Sequence, residues 1–297
     1  MYRYTGAVDC NSTFERGDLK DKTAIITGGA KGTGQAYVRA LYQSGARVVI
    51  GDIDEQQGSK LQSELHPSTK FVKCDVSCWE DQVSLFKEAI KFSSSGAIDI
   101  VVVNAGIGGV DSVFNTTPED DEPQKPQLRT LDINLTAALY TIKLGLYYFR
   151  RQAANSDSGR DHCLVLQGSV AGYIDFPGML EYGASKFGMR SAMRNIRSAE
   201  DTNVVRVNMI APWFIATDIL PPGRAELMKA NGIEFASLES AAEALMRIVS
   251  SRDVSGRAFA IVPKTDAPSG YIDLDVDDFR DCDLMKRYNK LVRNRLG

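Results

Sequence analysis

Thr23-Ala24-Ile25-Ile26-Thr27-Gly28-Gly29-Ala30-Lys31-Gly32-Thr33-Gly34 passes from a short apolar run into a turn holding four glycines in seven residues. Glycine serves where a backbone turns sharply and where a pyrophosphate must approach with no Cβ in the way. A helix starting near Thr33 offers its unpaired N–H groups and positive dipole end to such phosphates. Position 37 is Tyr, so the strict G-x-G-x-x-G spacing does not hold. A tight strand–helix turn without a ligand is the competing reading of this stretch alone.

Working outward, short runs rich in β-branched residues alternate with helical stretches. Residues 23–27, 47–51, 70–74, 98–103, 163–167, 204–210 and 258–262 read as strands. They are continuously apolar, as parallel strands covered on both faces must be. Between them, 78–92 places Val83, Phe86 and Ile90 on one helical stripe, and 127–152 and 181–199 read as further helices. The pattern predicts an α/β fold, a Rossmann-type doubly wound sheet of seven parallel strands with helices on both faces, in a single domain. That domain spans 21–262, with an N-terminal extension over 1–20 lying on the surface and a charged C-terminal extension over 263–297. The last segment crowds Asp273, Asp275, Asp277, Asp278, Asp281 and Asp283 ahead of Lys286, Arg287, Lys290, Arg293 and Arg295. A polar helix with acids at its positive end fits that order, and a partner-binding tail is the alternative.

Composition removes several function classes. The 297 residues are 43% hydrophobic and 25% charged, enough for a full core. Two histidines and five scattered cysteines leave no zinc spacing, so no metal site is expected. His66 and His162 lie near no nucleophile elbow. A net charge of −3 predicts no nucleic-acid or membrane partner. With no apolar run long enough to span a bilayer and no targeting segment, the expected location is cytoplasmic.

The second strand ends at Gly51-Asp52, and Asp52 lies 18 residues after Gly34. A carboxylate there accepts hydrogen bonds from an adenosine ribose and repels a 2′-phosphate, which favours NAD over NADP. Lys31 pulls toward NADP, and an N-terminal role in the following helix competes for Asp52. Asp75, after the third strand, is a candidate for an adenine amino group, with capping beside Ser77 as its alternative.

Tyr182-Gly183-Ala184-Ser185-Lys186 puts a phenol and an ammonium on one helical face. A phenol of ordinary pKa near 10 is a poor base at neutral pH, and a neighbouring ammonium favours its ionised form. Most Y-x-x-x-K matches are solvated helix faces, so the pair gains weight only from Ser169. That hydroxyl precedes Tyr182 by 13 residues and sits just beyond a strand end, where open parallel sheets bind ligands.

With these residues in view, the chain resembles the short-chain dehydrogenase/reductase family. Thr27-Gly28-x-x-x-Gly32-x-Gly34, Asn104-Ala105-Gly106, Asn134, Ser169, Tyr182-x-x-x-Lys186, Asn208 and Pro212 occur in the family's order, over about residues 20 to 262. The resemblance implies a catalytic tetrad of Asn134, Ser169, Tyr182 and Lys186, with Asn134 supporting a water in the proton relay. It implies cofactor contacts from Gly28, Lys31, Gly32, Thr33, Gly34, Asp52, Ile53, Asp75 and Val76. Further contacts are implied from Asn104, Ala105, Gly106, Tyr182, Lys186, Pro212, Ile215 and Thr217. Thr33 stands where the family usually has Ile or Leu, and Trp213 where it usually has Gly. Within the family, the chain looks most like fungal secondary-metabolite alcohol dehydrogenases of the 5′-hydroxyaverantin dehydrogenase type, themselves related to 15-hydroxyprostaglandin dehydrogenase. Asp52, the loop over 118–127 and Ala211-Pro212-Trp213-Phe214 carry that finer likeness.

The segments expected around a substrate supply Phe114, Tyr173, Phe176, Met179, Trp213, Phe214 and Leu220, with Ser169 and Tyr182 at the reacting oxygen. Such a lining suits a hydrophobic alcohol, polyketide- or terpenoid-like, better than a sugar or charged acid. The expected reaction is NAD-dependent oxidation of a secondary alcohol to a ketone. The alternatives are an NADPH-dependent ketoreductase, and a non-redox nucleotide-binding scaffold or cyclase. By family likeness, the helices over 127–152 and 181–199 form a homodimer or homotetramer face.

Overall fold

A computed structural model describes residues 4, 6–109, 111–114, 122–155, 159–278 and 282–288. The strands are β1 (Thr23–Thr27), β2 (Arg47–Asp52), β3 (Thr69–Lys73), β4 (Ile100–Val103), β5 (Cys163–Gln167), β6 (Arg206–Pro212), β7 (Ala258–Ile261) and β8 (Tyr271–Asp273). They form one sheet in the order β3-β2-β1-β4-β5-β6-β7-β8, parallel from β3 to β7. The order reverses at β1 and β4, which opens a crevice beyond their carboxyl ends.

Successive residues of each buried strand face opposite sides, so the continuous apolar runs feed two cores. Ile26, Val48 and Ile50 pack with Tyr37, Val38 and Leu41 of α1 (Gly32–Gln43) and Leu245 of α8 (Leu238–Ser250). On the other face, Ile25, Val49 and Val101 pack with Leu85 of α3 (Trp79–Phe92), Ile142 of α5 (Ala138–Ala154) and Met189 of α6 (Leu180–Ala199). Two further helices, α2 (Glu55–Glu64) and α7 (Arg224–Ala230), complete the crossover and the rim of the crevice, and a single turn, α4 (Arg129–Leu131), leads toward α5.

Three departures from the sequence reading have local causes. The sixth strand begins at Arg206, not at 204, because the amides of Val204 and Val205 close a turn on the Asp201 carbonyl. The helix expected over 127–152 contains a π-helical segment, Asp132–Ala137, between α4 and α5. The polar helix expected after 263 begins only at 283 and is described to 288, with Asp283 ahead of Lys286. The acids over 273–278 instead lie in and after β8, antiparallel to β7, and dock on arginines. Asp281, Lys290, Arg293 and Arg295 of that segment lie outside the described residues.

The N-terminal extension lies along α8. Arg247 donates to the carbonyls of Asp9 and Ser12, and the Gly17 amide donates to Ser250 Oγ at 3.0 Å. Val8 N donates to Asp273 at 2.9 Å, which joins this arm to β8.

Candidate active site

The glycine turn is built as its composition requires. Gly28 has a φ of +63°, which side chains rarely adopt. A Cβ on Gly34 would lie 2.0 Å from the Gly28 carbonyl oxygen, so the first turn of α1 packs against the end of β1 only without one. Asn104 pins the turn, donating from Nδ2 to the carbonyls of Thr27 and Gly28 at 2.9 Å each and accepting from the Thr33 hydroxyl at 3.0 Å. Thr33, which departs from the family's usual Ile or Leu, thus gains a partner. Ala105 N donates to Thr27 Oγ1 at 3.2 Å. The start of α1 has no side-chain cap, so its first N–H groups remain for an anion, and Gly32 and Thr33 border the cavity described below.

Asp52 is 8% exposed beneath this turn. Its carboxylate accepts the Ala30 amide at 2.9 Å and the Asp54 amide at 3.0 Å. The side-chain cap of α2 is Asp54, which accepts from Gln57 N at 3.1 Å, and Asp52 holds the backbone amide of that cap residue. Lys31 Nζ stands 3.7 Å from Asp54, and its charge is offset at the mouth of the turn. Ile53 is exposed beside them. Asp75 is held by Ser77, whose hydroxyl and amide donate to one carboxylate oxygen at 2.7 and 2.9 Å. These bonds hold the Asp75 carboxyl below its usual range. Val76 packs against the α3 side of the core.

A cavity of about 400 Å³ runs from the turn across the ends of β4, β5 and β6. It gathers Lys31, Gly32, Thr33, Asn104, Gly106, Pro212, Ile215 and Thr217 of the expected cofactor set, and Ser169, Tyr182 and Lys186 of the expected tetrad. Gly28, Gly34, Asp52, Ile53, Asp75, Val76 and Ala105 do not line this cavity; the two glycines, Asp52 and Ala105 form the turn behind it.

Tyr182 and Lys186 stand one turn apart near the start of α6, with the ammonium 5.4 Å from the phenol ring centroid. Lys186 Nζ donates to the Gln167 carbonyl, the last of β5, at 3.1 Å. Burial lowers this lysine from 10.5 to about 8. Burial also raises the Tyr182 phenol, and a hydrogen bond with Ser169 opposes that rise. The expected lowering by the ammonium is therefore not the dominant effect, because both groups share the same poorly solvated floor. Ser169 Oγ accepts from Ala171 N at 3.1 Å and lies 3.4 Å from the Pro212 carbonyl, which fixes its turn above β5.

Asn134 is 2% exposed and sits in the π-helical segment, a distortion that recurs at functional sites. Its amide pairs with both backbone groups of Ile107, accepting at 2.8 Å and donating at 2.9 Å, and reaches Ser185 Oγ at 3.5 Å. The side chain is a clamp on the loop after β4, and that loop borders the cavity through Ile107 and Gly108.

Phe176, Met179, Trp213, Phe214 and Leu220 line the outer cavity as expected. Trp213 and Phe214 meet at 4.7 Å between centroids, Phe176 lies 5.7 Å from Phe214, and Trp213 Nε1 is tied to the Glu234 carbonyl at 3.0 Å. Two expected lining residues are corrected. Tyr173 turns away, its ring under the Arg190 guanidinium at 4.1 Å and its hydroxyl donating to Asp277 at 3.0 Å. Phe114 is 57% exposed and off the cavity.

The sequence reading missed Gln167, which contributes through its backbone carbonyl, a group every residue has. It also missed Glu181, 2% exposed, whose carboxylate accepts from the Ser112 amide and hydroxyl at 3.3 and 3.2 Å. Its position beside Tyr182 was the available signal.

The short chain dehydrogenase family model matches residues 22–227. The chain is 36% identical over 287 residues to 5′-hydroxyaverantin dehydrogenase of Dothistroma septosporum, covering 90% of this chain and 92% of that one. It is 35% identical over 269 residues to 5′-hydroxyaverantin dehydrogenase stcG of Emericella nidulans, covering 85% and 88%. In fold it matches the 3-ketoacyl-(acyl-carrier-protein) reductase of Brucella melitensis, solved with NADH, at a TM-score of 0.70 and 23% identity, over 82% of this chain and 97% of that one. The chain belongs to the short chain dehydrogenase family and is an NAD(P)-dependent alcohol dehydrogenase or reductase.

Proposed function

We propose that this enzyme oxidises a secondary alcohol on a hydrophobic secondary metabolite, polyketide- or terpenoid-like, to the ketone, with NAD as hydride acceptor. The observation that carries the reading is the convergence of Ser169, Tyr182 and Lys186 at the floor of a cavity walled by Phe176, Trp213 and Phe214. The relatives named as hydroxyaverantin dehydrogenases support the reaction class and the secondary-metabolite setting.

The residues fit a dinucleotide. The uncapped start of α1 and the glycine turn suit a pyrophosphate, and Lys186 and Thr217 border the path toward Tyr182. Asp52 at the end of β2, together with Lys31 offset by Asp54, supports NAD over NADP. Held there, a nicotinamide dinucleotide would supply the hydride acceptor for the alcohol carbon. Ser169 holds the alcohol oxygen against the phenol. Lys186 favours the phenolate form of Tyr182 by its charge, and that phenolate takes the hydroxyl proton as the carbonyl forms, becoming the neutral phenol. Asn134 supports the relay by holding Ile107 at the cavity edge. The aromatic wall excludes water from the reacting carbon.

No helix among the described residues is long and apolar enough to cross a membrane. A cytoplasmic homodimer or homotetramer completes the proposal, supported by exposed Leu139 and Tyr147 on α5 and Phe187 on α6. The test is steady-state turnover of aromatic and alicyclic secondary alcohols with NAD and NADP, followed by reduced-nicotinamide absorbance. NAD-linked oxidation of a hydrophobic alcohol is expected. Turnover only of ketones with NADPH would favour the reductase reading, and no redox turnover of either kind would contradict both.

A further inference from the structure

The acidic C-terminal stretch has a place in the catalytic apparatus. Asp277 is 4% exposed and lies between two elements that carry the chemistry. One of its carboxylate oxygens accepts from Arg190 Nε at 2.7 Å and from Arg194 at 3.1 Å, both on α6. The other accepts from the Tyr173 hydroxyl at 3.0 Å. Tyr173 ends the tight turn that begins at Ser169, with Gly172 N donating to the Ser169 carbonyl at 2.9 Å and Tyr173 N to that of Val170 at 2.8 Å. Arg190 is one helical turn beyond Lys186 and also donates to the Gly172 carbonyl at 3.2 Å.

The Ser169 turn and α6 meet closely at a second point. A Cβ on Gly172 would lie 2.9 Å from the Lys186 carbonyl oxygen, so the turn rests on the helix backbone at the lysine itself. The contact at Gly172 and the knot around Asp277 together set how far Ser169 stands from Tyr182. Arg197, 2% exposed, anchors the knot by donating to the Asp277 carbonyl at 2.8 Å. Burial raises the Asp277 carboxyl, but the bonds from Arg190, Arg194 and Tyr173 outweigh it and hold it below the usual carboxylate range. It is thus a charged clasp at neutral pH.

We propose that Asp277 is a positioning residue for alcohol oxidation: by binding Tyr173 and Arg190 together, it holds the Ser169 turn in register with Tyr182 and Lys186 on α6. The inference rests on the Ser169–Tyr182 site reading. It makes the segment after β7 part of the active-site support, acting through Ser169 without touching substrate.

The experiment compares Asp277→Asn, Tyr173→Phe and their combination with Asp283→Asn, a charge change at an exposed site in the same segment. Turnover is normalised to sites titrated by NADH binding. Loss of alignment lowers kcat by about tenfold to a hundredfold in Asp277→Asn while the cofactor KM stays within about twofold. Tyr173→Phe lowers kcat less, and the double variant falls short of the product of the two, because both break one linkage. Asp283→Asn keeps full turnover. Unchanged kcat per site in Asp277→Asn, or in Tyr173→Phe should the first not fold, overturns the proposal. Ser169→Ala is run alongside: retained turnover there contradicts the site reading itself, whereas its loss together with an unaffected Asp277→Asn contradicts only the clasp.

Discussion

Lys186 donates its buried ammonium to the Gln167 carbonyl at 3.1 Å and lies 5.4 Å from the centroid of the Tyr182 ring. Burial of an ammonium is a cost to the fold, and in the proposed mechanism the charge it keeps beside Tyr182 is what that cost serves.

Stability measurements on Lys186→Met expose that cost. A folded value of about 8 against an ordinary 10.5 means the protonated lysine destabilises the fold, on the order of 3 kcal/mol at neutral pH as an upper figure. Because the folded value is the lower one, the penalty is complete below pH 8 and fades as pH rises from about 8 toward 10.5. Denaturant unfolding at neutral pH should therefore show Lys186→Met more stable than the parent and inactive. The difference should shrink above pH 8. A less stable variant at pH 7 would mean the lysine is held by favourable interactions instead.

Asp52→Ala tests the cofactor assignment. The substitution leaves the Ala30 and Asp54 amides without their acceptor, a loss of about 1–3 kcal/mol for a buried donor. It also removes the charge opposing a 2′-phosphate. The ratio of kcat/KM for NAD over NADP should drop by at least about tenfold, equivalent to about 1.4 kcal/mol. An unaltered ratio would leave Asp52 a purely structural residue of the turn.

The aromatic wall predicts selectivity. Trp213→Gly removes the ring that packs on Phe214 and is tied to Glu234. KM for a bulky aromatic alcohol should rise about tenfold, a loss of about 1.4 kcal/mol, with cofactor KM unaffected. Equal effects on small and bulky alcohols would place Trp213 in the frame of the loop and not in the recognition surface.

Much of this was legible in the residues because it depends on local chemistry. Continuous apolar runs located the parallel strands to within two residues, and the glycine turn, Ser169 and the Tyr182–Lys186 spacing marked the cavity floor. What stayed hidden depends on partners distant in sequence. Asp277 and Arg190 are 87 residues apart, so the acids read as a helix start and not as ligands for α6 arginines. Tyr173 sits in an aromatic stretch near the substrate segments, and the positions of Asp277 and Arg190 turn it away. The π-helical segment at Asn134 leaves no mark in the apolar periodicity, because it shifts the helix register by a fraction of a turn.

The central claim is that Tyr182 carries the alcohol proton in nicotinamide-linked oxidation. Tyr182→Phe removes one oxygen and keeps the ring beside Lys186. NADH binding should be retained and kcat for alcohol oxidation should fall by about 10²- to 10⁴-fold. Parental turnover in a Tyr182→Phe enzyme that still binds NADH would contradict the account.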